Sequence, residues 1–425
     1  MRTLTLLIVL VLTLSACGLR AQGPGGPPPP RGGQRPPREG GQNEYSLAQA
    51  LSDQAQLHTI AFDGLAFLTG EIGCNTFLPP GKVCDYFGFQ YMRDIEPRGG
   101  GHNTDFLTRI ANNMLRAYTP AQLAELVKLA GEQVPGFQEF ARRRFALIKA
   151  FDRQRTGQTP AGTSLSREAV MRYSADLWAL DGELAYRRAE VMGRIIAGFA
   201  PEQKAYLAKL KFGDSSTWPD VPEAFDRRSV SHDVHVAVMT YASEMFSWYA
   251  GNVEADVYFC PERHATYFGS FYMKDRPVMG KRNASISTSV TGDSGAQFLT
   301  VLRPEQRTLV TNLVDAQRGD LAEVVTVRRA IATELRRFLA GQAAAHDTVI
   351  ALSRRYGELD GAMSYNLAMA FAKVGQGLNA DQAAALRKLR NLDDYPCTGA
   401  YLYSQPIALP DFGNTDDLFA ADKQG

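Results

Sequence analysis

Tyr118-Thr119-Pro120-Ala121-Gln122-Leu123-Ala124-Glu125-Leu126-Val127-Lys128-Leu129-Ala130 is the stretch that decides the fold class. Thr119 stands where an N-cap belongs, Pro120 takes the first helical position, and Gln122 follows the cap by three residues and can reach back to it. Behind this box, Leu123, Leu126, Val127, Leu129 and Ala130 recur at the three-and-four spacing of one apolar helix face. Asn379-Ala380-Asp381-Gln382 repeats the device with Asn as the cap. Ala200-Pro201-Glu202-Gln203 and Arg303-Pro304-Glu305-Gln306 lack a capping side chain but keep Pro and an acid in the first turn, which suits the helix dipole. Leu309, Leu313, Leu321, Val324 and Val325 give a second amphipathic stripe, and 166–198 and 346–377 read as Ala- and Met-rich helices. Short helices should follow, ending near 212 and 391. Pro135-Gly136 is expected to break or kink the helix that begins at Pro120. The expected fold class is all-α.

Outward from these helices the chain repeats itself. Tyr86-Phe87-Gly88-Phe89-Gln90-Tyr91-Met92-Arg93-Asp94 returns as Tyr267-Phe268-Gly269-Ser270-Phe271-Tyr272-Met273-Lys274-Asp275. Leu180-Asp181-Gly182 with Tyr186 returns as Leu359-Asp360-Gly361 with Tyr365, and the four Gln motifs fall into the same order. The expected architecture is two tandem helical repeats, 45–228 and 229–410, related by pseudo-twofold symmetry, with a tail over 411–425. Each repeat holds a leading helix, an irregular aromatic loop, a long helical hairpin and a short closing helix.

The N-terminus speaks to compartment. Met1-Arg2 precedes the apolar run Leu4 to Ala16, which suits a signal peptide over 1–16 and is short for a membrane span. Leu14-Ser15-Ala16-Cys17 looks like a bacterial lipobox with Cys17 as the lipidated residue; cleavage after Gly18 or Ala21 is the plainer alternative. An exported protein on a periplasmic or cell-surface face, lipid-anchored to a bacterial membrane, is expected. Residues 18–43 hold eight Gly and seven Pro. Such a stretch forms no core and, drawn out as polyproline II, reaches roughly 80 Å, so 17–44 reads as a tether. Cys74, Cys84, Cys260 and Cys397 then remain, an even number suited to disulfides in an oxidising compartment. Cys74–Cys84 within one loop and Cys260–Cys397 is the first choice among the three possible pairings.

Four Gln motifs, each opening an amphipathic helix in an exported chain, resemble the LTxxQ motif of the Spy- and CpxP-like periplasmic stress proteins. Thr119 keeps the motif's Thr, and Leu302 and Leu378 keep its Leu. The resemblance implies long bent helical hairpins that dimerise into a cradle, here imitated by two fused halves as an intramolecular pseudo-dimer. It implies an ATP-independent chaperone acting on unfolded or envelope protein clients, an inhibitor of stress-sensor kinases, or a metal-sensing factor.

Several residues carry other chemistry. Tyr86, Phe87, Tyr91 and Met92, with Tyr267, Phe268, Tyr272 and Met273, read as a packing clamp, with a ligand or partner surface and a soft-metal site as alternatives. His232, His235, Cys260 and His264 have the residue types of a transition-metal site, although the helix between His235 and Cys260 and a disulfide at Cys260 oppose it. No other cofactor is expected. Asp181 and Asp360 each precede a mid-helix Gly, which points to close helix approach more than to a carboxylate pair for acid–base work. Gly292-Asp293-Ser294-Gly295 spells a serine-protease string without a triad context and reads as a polar loop. Lys+Arg 46 against Asp+Glu 45 gives no reason to expect nucleic acid. No Cys-x-x-Cys-His, Walker loop or dinucleotide fingerprint occurs. A non-enzymatic binding protein is the leading expectation, with a metal-binding protein and a structural envelope lipoprotein as alternatives.

Overall fold

The computed structural model describes residues 51–72, 105–211, 217–257, 294–390, 400–402, 405–407 and 414–421. These are predominantly helical. In chain order come α1 (Asp53–Thr69), α2 (Asp105–Ala117), α3 (Pro120–Thr156), α4 (Arg167–Ala197) and α5 (Pro201–Leu207). They are followed by α6 (His232–Ala250), the short α7 (Val253–Val257), α8 (Ser294–Val301), α9 (Pro304–Leu335), α10 (His346–Gln376) and α11 (Ala380–Arg390). Among the described residues no helix is long and apolar enough to cross a membrane.

The caps form as expected. Thr119 Oγ1 accepts from the Gln122 amide at 3.3 Å, and Gln122 Oε1 accepts from the Thr119 amide at 2.9 Å. Two expectations need correction. Of the break or kink expected at Pro135-Gly136, the break does not occur: α3 runs through Pro135. Its neighbours Gln133, Val134 and Phe137 are buried against other helices, so packing on both sides of the lost hydrogen bond holds the turn. Ser294 and Gly295 open α8 and so do not lie in a polar loop.

Two hairpins, α3–α4 and α9–α10, form the body, and the main seam lies where α4 meets α10. A Cβ on Gly182 would overlap the Ser353 hydroxyl, one on Gly357 would stand 2.5 Å from the Ser174 carbonyl oxygen, and one on Gly361 2.9 Å from Ser174 Cβ. Residue numbers rise along one helix as they fall along the other, so the two run antiparallel with their backbones nearly touching. This is the close approach expected at Gly182 and Gly361. It places the open end of each hairpin at opposite ends of the seam.

The leading helices cross over. Helix α6, which follows the first hairpin in sequence, packs on α2 and α3, whereas α1, which precedes that hairpin, packs on α8, α9, α10 and α11. Tyr118 donates to Met245 Sδ at 2.8 Å on one side; Gln317 donates to Gln56 Oε1 at 2.8 Å on the other. The C-terminal segment returns to the turn between α3 and α4. There β4 (Phe419–Ala421) pairs antiparallel with β1 (Thr163–Leu165), and Arg153 bonds Thr415 and Asp416 at 2.8 and 2.6 Å. A separate hairpin, β2 (Ala400–Leu402) with β3 (Gln405–Ile407), completes the strands among the described residues.

Candidate functional site

The four Gln side chains do more than cap. At the open end of the first hairpin, Gln122 donates to Gly198 O at 3.3 Å, while Gln203 accepts from the Ala200 amide at 2.8 Å. Gln203 then donates to Gln122 Oε1 at 2.8 Å and to Ala117 O. At the open end of the second hairpin, Gln306 accepts from the Arg303 amide at 2.9 Å and donates to Gly377 O at 2.8 Å. Gln382 accepts from the Asn379 amide at 3.2 Å and donates to Gln306 Oε1 at 2.8 Å and Val301 O at 2.9 Å. Every Gln therefore both accepts and donates through its side-chain amide. A local cap has become a cross-link between two helix starts and the carbonyl ends beside them. Each pair forms a lock.

The second cluster lies in the interior. Arg188 on α4 and Glu244 on α6 form an ion pair at 2.9 Å, and both side chains are fully buried. Gln133 accepts from Tyr241 at 2.7 Å and Arg188 at 3.4 Å, and donates to Leu184 O at 2.7 Å. The Arg188 guanidinium also sits 4.6 Å from the Tyr241 ring centre and 5.2 Å from that of Phe137, so its faces meet aromatic surface. Asp63, Arg144, Asp181, Arg328 and Asp360 are buried in the same interior, with Trp178 Nε1 donating to Asp360 at 3.3 Å. Near the end of α6, Arg336 grips Asp256 with two bonds of 2.6 and 2.8 Å and the Trp248 carbonyl at 2.9 Å. Burial pushes the Asp256 carboxyl up to about 6, against the pull of Arg336 and Arg328.

Charges so deeply buried are expensive unless matched, and they fix which helix faces which neighbour. Their chemical use here is to hold α6 against α4 and α7 against α9. Sequence reading singled out Asp181 and Asp360 but missed Arg188, Glu244, Arg144, Arg328 and Asp63. The spacing of like residues was the available signal: Asp63 and Glu244 stand 181 apart (244 − 63), and Arg144 and Arg328 stand 184 apart (328 − 144).

Of the expected metal ligands, His232 and His235 lie among the described residues. His232 is exposed at the start of α6. His235 Nε2 lies 2.6 Å from Glu223 Oε1, and its ring stacks on Phe225 at 5.8 Å. Among the described residues no group of three or more His, Cys, Asp or Glu could hold a metal ion. Cys17, the four remaining cysteines, His264 and all eight residues of the aromatic loops lie outside the described residues.

With this geometry in place, comparison with known proteins adds no relative: no protein family, no curated protein and no solved structure matches the chain.

Proposed function

We propose that this chain is an exported binding protein of the Spy/CpxP-like kind, a chaperone or envelope-stress factor without catalytic activity. The observation that carries the reading is the pair of Gln locks: residues 122, 203, 306 and 382 resemble one family motif, and all four perform one task. A duplicated chain accounts for the same task occurring at both hairpin ends. It also accounts for Gly182 meeting Ser353 while Gly361 meets Ser174, and for leading helices that each pack on the other half. In this reading the halves form an internal pseudo-dimer with a pseudo-twofold axis through the α4–α10 seam. The tether and a lipid on Cys17 hold it to a membrane.

The test is protection of an unfolded client. The chain without its signal peptide and without Cys17, residues 18–425, should suppress light scattering by heat-denatured malate dehydrogenase without ATP, near stoichiometric ratio. Unchanged aggregation at about tenfold molar excess, where even a modest affinity would saturate the client, refutes the chaperone role. A structural role in the envelope is the second reading. It is favoured by a surface on which, among the described residues, Ile72 is the one exposed large apolar side chain.

A further inference from the structure

Most exposed cations along the hairpins face carboxylates: Lys128 meets Glu132, Arg194 meets Glu125, Arg354 meets Asp176 and Arg355 meets Glu323. The two locked ends differ. At the first, Arg116, Lys204 and Lys209 are exposed and have no ion-pair partner among the described residues; at the second, the same holds for Lys373, Arg387 and Lys388. Glu202 and Asp381 are the acids of the two closing helices, and each sits in the first turn, where the helix dipole already engages it. The cations occupy the last turns and the adjoining helix ends, so among the described residues each end of the seam shows three exposed cations that pair with no carboxylate. The chain as a whole carries a formal net charge of only +1.

We propose that these two ends are docking pads for an anionic lipid bilayer. The choice of a bilayer as occupant rests on the membrane-tethered placement proposed above; the charge distribution does not. A tether of roughly 80 Å keeps the body near its membrane, so individually weak attractions act at high local concentration. Three cations at a surface rich in anionic headgroups raise partitioning by about a hundredfold. The antiparallel seam presents one pad at a time, leaving the other free.

The experiment is co-sedimentation of the processed, lipid-free chain with vesicles of phosphatidylcholine, alone or with about one third phosphatidylglycerol, in about 0.1 M salt. Binding should be at least about tenfold stronger to the anionic vesicles and should fall by a similar factor in about 0.5 M salt. Lys373→Glu with Arg387→Glu and Lys388→Glu should lower partitioning by about half, and adding Arg116→Glu, Lys204→Glu and Lys209→Glu should lower it at least about tenfold. The six Gln substitutions give a neutral set with the same expected direction, should charge reversal disturb folding. Equal binding to both vesicle types, or binding unmoved by the sixfold variants, overturns the proposal. So does retention by a phosphate-rich glycan with no retention by vesicles. A chain that protects clients yet ignores vesicles refutes this inference alone.

Discussion

Replacing Glu244 by Gln removes one charge from the interior and leaves its shape almost unchanged. The partner guanidinium stands 2.9 Å away, and both side chains are fully buried. At an effective dielectric of about 20, two unit charges at that separation attract by about 6 kcal/mol. A neutral amide at position 244 can still accept a hydrogen bond from Arg188, so part of this is retained. Stripping one partner from a buried pair costs about 3–5 kcal/mol, because the remaining charge stays out of water. For a body of this size that corresponds to a fall in melting temperature of about 4–7 °C. The three tryptophans are buried, so denaturation followed by their fluorescence reports on the fold directly. The double variant Arg188→Met with Glu244→Leu should recover most of the loss, since it leaves no charge to strand. A loss below about 1 kcal/mol for Glu244→Gln refutes the argument, as does a double variant no better than the single one.

Two further outcomes follow from the same packing. Gly182→Ala drives a methyl into the Ser353 hydroxyl and should cost about 1–3 kcal/mol, while Ser353→Gly in the same chain should restore part of it; thermal melts of both variants decide. Asp256 titrates higher in the fold, near 6, than the value of about 4 expected when unfolded. Its stabilising contribution is therefore complete below about pH 4 and is lost as the pH rises through about 6. Across that window the denaturation midpoint of the parent chain should fall with pH relative to that of Asp256→Asn, a difference that carboxylates common to both chains do not affect.

The sequence by itself determined what depends on near neighbours. A cap and its Gln are three residues apart, and an apolar stripe repeats within a turn or two. Hence the helix starts at Pro120, Pro201, Pro304 and Ala380, and helices over 166–198 and 346–377, were legible without coordinates. The break that a local rule about lost hydrogen bonds allows at Pro135 does not occur, because that rule omits the burial of Gln133, Val134 and Phe137 on either side. The tertiary structure alone decided that Gln122 meets Gln203 across 81 residues (203 − 122) and that Gln306 meets Gln382. It alone decided that α6 packs on the first hairpin while α1 packs on the second, and that Arg188 finds Glu244. Those contacts join segments far apart in the chain, so no periodicity records them. They are selected when the apolar faces assemble and every buried charge and amide needs a partner within reach.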